Sequence, residues 1–387
     1  MSVVETWLLP DGVADVLPEQ AQVIEKLRRR LLDLLTSHGY ELVYTPFIEY
    51  VESLSLHSNA NSDLDLATFK LIDQLSGRLL GVRADMTPQV ARIDAHVRPL
   101  EGIARYCYAA TVLHTKPQGL SASRAPLQLG AELFGFEGLA ADLEMVDLML
   151  SVLKAAGFEQ QLHLDLGHVD IFRNLSRIAG LTDYQEAKLT DLYQRKAIPE
   201  LAEYVEQVEL GQDFYALGRY SSDLATLRQK LSAQVLADER LQQALNALEQ
   251  AYSHIIKYWP NIGVGVDAAE LRGYHYHTGL MFAVYTPNRA VPLAQGGRYD
   301  GIGVAFGRER PATGFSCDLY ALAREQNYQA PSVLIVPIGK DASLIAAMAQ
   351  ARQDGFVVIQ LLEGQQVHDR ATHQLIRNGD QWQRVTL

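Results

Sequence analysis

Pro126-Leu-Gln-Leu-Gly-Ala-Glu-Leu-Phe134 decides how this chain folds. A strand sends successive side chains to opposite faces. Leu127, Leu129, Ala131 and Leu133 therefore share a core face, while Gln128, Gly130 and Glu132 share the other. Two polar groups flanking a glycine leave room for a ligand on the sheet, although a polar exposed face has the same pattern.

Around it the chain alternates helices and short strands. Pro18 to His38 carries leucines at helical spacing, with Pro18 in the first turn and Gly39 as the cap. Its basic cluster, Lys26 to Arg30, reads as a solvated face. Tyr40–Thr45 reads as a strand, and Phe69–Val82 as a hairpin turning at Ser76-Gly77. Thr87 is the expected N-cap of a helix through about His96. Two strands, Arg105–Leu113 and Ala125–Phe136, are joined by a polar loop, His114–Arg124. A helix, Asp142–Ala156, and a strand, Gln161–Leu166, follow. From about His168 to Tyr258 strand patterning stops, which predicts a helical insertion. Strands are expected again at Gly263–Val266, Tyr274–Tyr285 and Gly301–Phe306, then a closing helix at Thr313–Glu325. Ser332–Ile338, Asp341–Asp354 and Phe356–Leu362 form a βαβ pattern with Asp341 as N-cap.

The bulk numbers exclude several classes. The 387 residues are 48% hydrophobic and 21% charged, which is globular composition. A formal charge of −12 disfavours a phosphate-backbone partner. Cys107 and Cys317 lack zinc-site spacing, and His275 with His277 lacks a third ligand, so no metal is expected. No targeting segment and no apolar run of membrane length are visible, and a cytoplasmic protein is expected.

Two further stretches carry chemistry. In Glu270-Leu-Arg-Gly-Tyr-His-Tyr-His-Thr-Gly279, Arg272 suits a carboxylate or phosphate, and the rings suit a small cyclic ligand. Half-buried strand aromatics are the plainer alternative. Ala294-Gln-Gly-Gly-Arg-Tyr-Asp-Gly-Ile-Gly303 permits close backbone approach but is neither a Walker loop nor a dinucleotide motif.

Taken together and in order, these stretches resemble class II histidyl-tRNA synthetases over residues 1–325. Gly39–Glu49 resembles motif 1, the dimer-interface element; Val82-Arg-Ala-Asp-Met-Thr-Pro88 the ammonium-binding segment; Arg105–Gly135 motif 2. Leu271–Gly279 and Gly296–Gly301 resemble the two histidine signatures. The resemblance implies an α+β fold: an antiparallel sheet with flanking helices, a helical insertion at 168–258, and a small α/β domain at 331–387. It also implies a histidine-like pocket. Asp85 and Thr87 would face the ammonium, Gln128 the amino acid's polar end, and Arg272 the carboxylate. Glu132 would accept from the imidazole, with Tyr276 and Tyr299 lining the ring and His277 replacing a second tyrosine.

The departures point away from aminoacylation. Aligned on Glu132, the motif 2 arginine falls on His114 and its glutamate on Lys116; the motif 3 arginine falls on Ala321. Each lost charge-assisted contact is worth about 2 kcal/mol in a desolvated site. The combination resembles the regulatory subunits of ATP phosphoribosyltransferase (the HisZ family). These keep the synthetase fold without catalysis and need no cofactor. They assemble with a short-form catalytic subunit in the first step of histidine biosynthesis, activate it, and take part in feedback inhibition by histidine. The resemblance implies a dimer, L-histidine as a possible ligand, and no tRNA or membrane partner. The alternatives are a divergent histidyl-tRNA synthetase and a stand-alone histidine sensor or scaffold.

Overall fold

The computed structural model describes residues 7–55, 63–117, 123–159, 162–274, 276–287, 289–365 and 370–387. His275, and part of the expected 114–124 loop, lie outside them. The chain forms two compact units, Met1–Gln326 and Asn327–Leu387.

An eight-stranded sheet organises the first unit. Its order is Glu41–Leu42, Ala104–Thr111, Leu127–Phe134, Ala312–Asp318, Ala294–Arg298, Leu280–Tyr285, His163–His168, Gly263–Val266. Both edge strands pair in parallel and all inner pairs are antiparallel. Leu129, Ala131 and Leu133 are buried in one large core, as their alternation predicts. Helices Pro18–Ser37 and Leu139–Ala155 belong to that core through Leu27, Leu31, Leu35, Met145, Met149 and Leu153. Gly39 and Gly157 leave the two helices at φ 87° and 90°, where a side chain would be strained. Arg28 and Arg29 both pair with Glu25 on the outer face, so that basic cluster is a solvated surface.

Helices run from Val169 to Tyr258 without a strand between them, as the loss of period-two patterning predicts. The Phe69–Ile72 and Leu79–Val82 hairpin also forms. In the second unit the strand order is Val357–Gln360, Val333–Val336, His373–Asn378, Gln381–Thr386, and Asp341 caps helix Ala342–Gln353 by accepting from Leu344 N at 3.0 Å.

Five local expectations are corrected. Within Tyr40–Thr45 only Glu41–Leu42 is strand. Thr87 does not cap its helix: Met86 holds that position without a side-chain cap, and the Thr87 hydroxyl is used elsewhere. Arg272–Tyr274 and Tyr276 are turn rather than strand, because Gly273 takes φ 64°, and pairing begins only at Leu280. Asp300–Phe306 is a 3₁₀ helix. Ala312–Asp318 is a central strand, and helix begins only at Leu319, where Asp318 caps Tyr320 N. Its glycine, threonine and phenylalanine suit a buried sheet better than a helix.

The Gly-Arg-Tyr-Asp turn is braced by a buried ion pair. Arg298 Nε donates to Asp142 Oδ2 at 3.0 Å, and its Nη atoms reach the carbonyls of Phe136 and Gly138 and the Asp300 carboxylate. Breaking such a pair strands a charge. Arg298→Met should cost about 3–5 kcal/mol in urea unfolding, and adding Asp142→Leu should recover much of it.

Candidate functional site

On the polar face of Leu127–Phe134, Glu132 lines a cavity of about 260 Å³. Asp85, Thr87, Glu132, Arg272, Tyr276, His277 and Tyr299, from four separate stretches of sequence, all line it. The pairings explain the convergence. Glu132 lies directly opposite Gly314 on the neighbouring strand, and Gly314 lies opposite Gly297. A side chain at Gly314 would overlap the Glu132 carboxylate, so the glycine makes room for it.

Glu132 is 1% exposed and has no ion-pair partner among the described residues. Its Oε1 accepts from the Thr87 hydroxyl at 2.8 Å and the Tyr108 hydroxyl at 2.9 Å; its Oε2 accepts from the Tyr299 hydroxyl. Three donors favour the carboxylate, but burial outweighs them and the nearby Asp85 charge adds to it, pushing the group up to about 8. Tyr276 stacks on Tyr299, ring centroids 5.3 Å apart and 20° from parallel.

Gln128 stands apart from the cavity lining. Its Nε2 donates to Asp85 Oδ1 at 2.8 Å and its Oε1 accepts from Met86 N at 3.0 Å, so it fixes the loop that presents Asp85. Asp85 also accepts from Thr87 N at 3.3 Å. The space above Gly130, expected to admit a ligand, is filled: a Cβ there would stand 2.5 Å from the Tyr108 hydroxyl. Arg272 lies at the mouth, half exposed, where Glu270 and the Tyr285 hydroxyl hold it.

His277 lines the cavity, and its Nδ1 lies 3.3 Å from the Arg298 carbonyl. Burial pushes its imidazolium down to about 4, so the ring is neutral. From the helical insertion, Arg173 donates to the carbonyls of Tyr274 at 3.1 Å and His277 at 3.0 Å, pinning the turn. Sequence reasoning missed Arg173, Tyr108, and the cavity carboxylates Asp165, Asp267 and Glu270. Only Tyr108 had a readable signal, an aromatic able to pair across from a glycine.

Three further residues are those expected from the resemblance at the nucleotide-binding arginines (His114, Ala321) and glutamate (Lys116). His114 is buried, with Nε2 2.9 Å from the Ala84 carbonyl, so it braces the 83–87 loop. Ala321 is buried in helix Leu319–Ala323, and Lys116 is exposed.

Comparison with known proteins fits this geometry. Residues 12–322 match the histidyl-tRNA synthetase family, and residues 331–385 match the ATP phosphoribosyltransferase subunit HisZ C-terminal domain. A protein of Acinetobacter baumannii strain AYE named ATP phosphoribosyltransferase regulatory subunit is 63% identical over 99% of both chains. This chain belongs to that family. Among solved structures, an ATP phosphoribosyltransferase regulatory subunit/histidyl-tRNA synthetase from Bacillus halodurans has a TM-score of 0.80 at 26% identity, covering 94% of this chain and 95% of its own. The ATP phosphoribosyl transferase (HisG:HisZ) complex from Thermotoga maritima has a TM-score of 0.58 at 19% identity, covering 79% and 98%, which shows the shared fold. The regulatory subunit thus carries a class II synthetase-like sheet and acts in histidine biosynthesis. No helix among its described residues is long and apolar enough to cross a membrane.

The buried carboxyl gives the subunit a pH signature. Between the ordinary carboxyl value of 4.5 and about 8, folded Glu132 holds a proton that the unfolded chain has lost. Its contribution is therefore complete below 4.5 and lost as pH rises through 8. Urea midpoints measured from pH 6 to 9 should fall with pH, and Glu132→Gln should flatten that slope.

Proposed function

We propose that this regulatory subunit works without catalysis of its own, binding a separate ATP phosphoribosyltransferase catalytic subunit and sensing histidine in the cavity at Glu132. One observation carries the reading. The amino-acid half of a synthetase site keeps its cavity and hydroxyl-held carboxyl, while the nucleotide half has a buried imidazole and a buried methyl group in place of two arginines. The named complex from Thermotoga maritima supports a catalytic partner. In this reading the cavity places Asp85 and Thr87 at an ammonium, Arg272 at a carboxylate, and Tyr276, His277 and Tyr299 around the ring. Gln128 supports Asp85. Neither cofactor nor metal enters the reading, and its setting is the cytoplasm.

The same reading gives 1–325 as the synthetase-like core, with 168–258 inserted, and 331–387 as the small second domain. It also includes a dimer. Tyr44 is 74% exposed and Ile72 69%; Leu42, Phe47 and Ile48 are exposed near Tyr44 in sequence, and Leu79 is exposed in the Phe69–Ile72 and Leu79–Val82 hairpin, which pairs with strand Ile48–Tyr50. So much apolar surface on the motif 1 side suits a second copy.

Purified chain should give no histidine-dependent exchange between pyrophosphate and ATP, yet should raise the turnover of the catalytic subunit on mixing. Robust exchange would restore the synthetase alternative; unchanged turnover would favour the stand-alone sensor. In the assembled complex, Glu132→Ala should weaken histidine inhibition at least ten-fold without loss of assembly. Inhibition that stays intact would place the functional site on the partner. Sedimentation should give a dimer of the 43.0 kDa chain, and Tyr44→Asp with Ile72→Asp should dissociate it.

A further inference from the structure

A second cleft, of about 570 Å³, opens in the helical insertion. It lies against the last turn of helix Val169–Ala179 and is lined by Arg173, Ser176, Arg177, Leu181, Glu186 and Tyr274. We infer that this cleft is a binding site for a small zwitterion of the amino-acid kind, with the ligand's carboxylate at Arg177 and Ser176 and its ammonium at Glu186. The site is distinct from the Glu132 cavity and does not rest on the histidine-sensing reading. Three polar atoms of the lining are left over. Ser176 is 3% exposed, and its buried Oγ has no hydrogen-bond partner among the described residues. A helical serine often gives its hydrogen to the carbonyl four residues back, and a buried hydroxyl left without a partner is costly. Arg177 commits Nη2 to Asp238 and Nε to Asn174, at 3.4 Å, which leaves Nη1 without a partner among the described residues. Glu186 Oε1 accepts from the Tyr274 hydroxyl at 2.8 Å, which leaves Oε2 open in the same way.

The signs of these groups decide the ligand class. Phosphate, or any plain anion, would meet the Glu186 carboxylate and the negative end of the helix dipole. A plain cation would meet Arg173 and Arg177. A molecule carrying both charges a few ångströms apart answers both ends through charge-assisted hydrogen bonds. Arg173 is a fixed wall rather than a free hand. Its Nη1 donates to Asp170 at 2.5 Å, its Nη2 to the Tyr274 and His277 carbonyls, and its guanidinium carbon lies 5.2 Å from the centre of the Tyr274 ring. At the rim, Gly180 ends the helix at φ 63°, and no atom lies within 4 Å of where its Cβ would stand. That leaves the cleft open beside Leu181 for a ligand side chain.

Calorimetric titration of the full-length chain tests this, with L-alanine, L-glutamine and L-histidine as probes and with acetate and ethylamine as the two half-ligands. At least one amino acid should bind wild type and Glu132→Gln alike, which separates the cleft from the first cavity. Both half-ligands should bind at least ten-fold more weakly, as expected when a charge-assisted contact is lost. Glu186→Gln, which keeps an acceptor for the Tyr274 hydroxyl, should weaken the amino acid about ten-fold. Ser176→Ala should weaken it several-fold while the melting temperature of the free chain stays level or rises, because the hydroxyl it removes has no partner in the protein. A serine with a purely structural role would show the reverse, a lower melting temperature and unchanged binding. The proposal falls if no amino acid binds wild type, if acetate binds as tightly as the amino acids, or if Glu186→Gln and Ser176→Ala both bind as wild type does; the cleft then holds only water or a plain anion.

Discussion

Glu132 is held at the centre of the eight-stranded sheet by hydroxyl groups rather than by a cation, and much of the surrounding structure follows from what that costs. A carboxyl buried without a positive partner is expensive unless its oxygens are hydrogen-bonded. Thr87, Tyr108 and Tyr299 supply those bonds from three different stretches of chain. Gly314 supplies the space by having no side chain where the neighbouring strand passes the carboxyl. The loop at 83–87, the Gly-Arg-Tyr-Asp turn and the two central strands are thereby tied to one group.

The supports around this group come from elements far apart in sequence. Gln128 and His114 fix the 83–87 loop from motif 2, through Asp85, Met86 and Ala84. Arg173 reaches from the helical insertion to pin the turn that carries His277. The Asp142–Arg298 pair anchors the turn that carries Tyr299. The insertion is thus part of the site's framework, and His114 has become a brace at a position where a synthetase would present an arginine to nucleotide.

How much of this was legible in the sequence depended on the range of the interaction. Helix Pro18–Ser37, the core face of Leu127–Phe134 and the helical stretch after His168 were readable because they are set by local spacing of apolar residues. The strand at Ala312–Asp318 was misread, since a short apolar run has no period that separates buried strand from helix. The turn around Gly273 was misread because one glycine at positive φ outweighs the β preference of the aromatic residues beside it. Arg173 and Asp165 belong to no motif, so nothing along the chain marked them as neighbours of the site.

The sequence by itself determined the order of the elements, the family, and which residue types stand at each motif position, because those are properties of spacing and identity along one dimension. It therefore gave the expectation, through the resemblance, that His114 and Ala321 stand where a synthetase has arginines, beside Glu132, Tyr276, His277 and Tyr299. Only the tertiary structure decided what these residues do to one another. Strand pairing set Glu132 over Gly314, closure of the sheet brought Thr87 and Tyr299 onto its oxygens, and the Gly-Arg-Tyr-Asp turn brought the Arg298 carbonyl against His277 Nδ1. Hydrogen bonds and desolvation act over a few ångströms in space, and that proximity is created only when the sheet assembles.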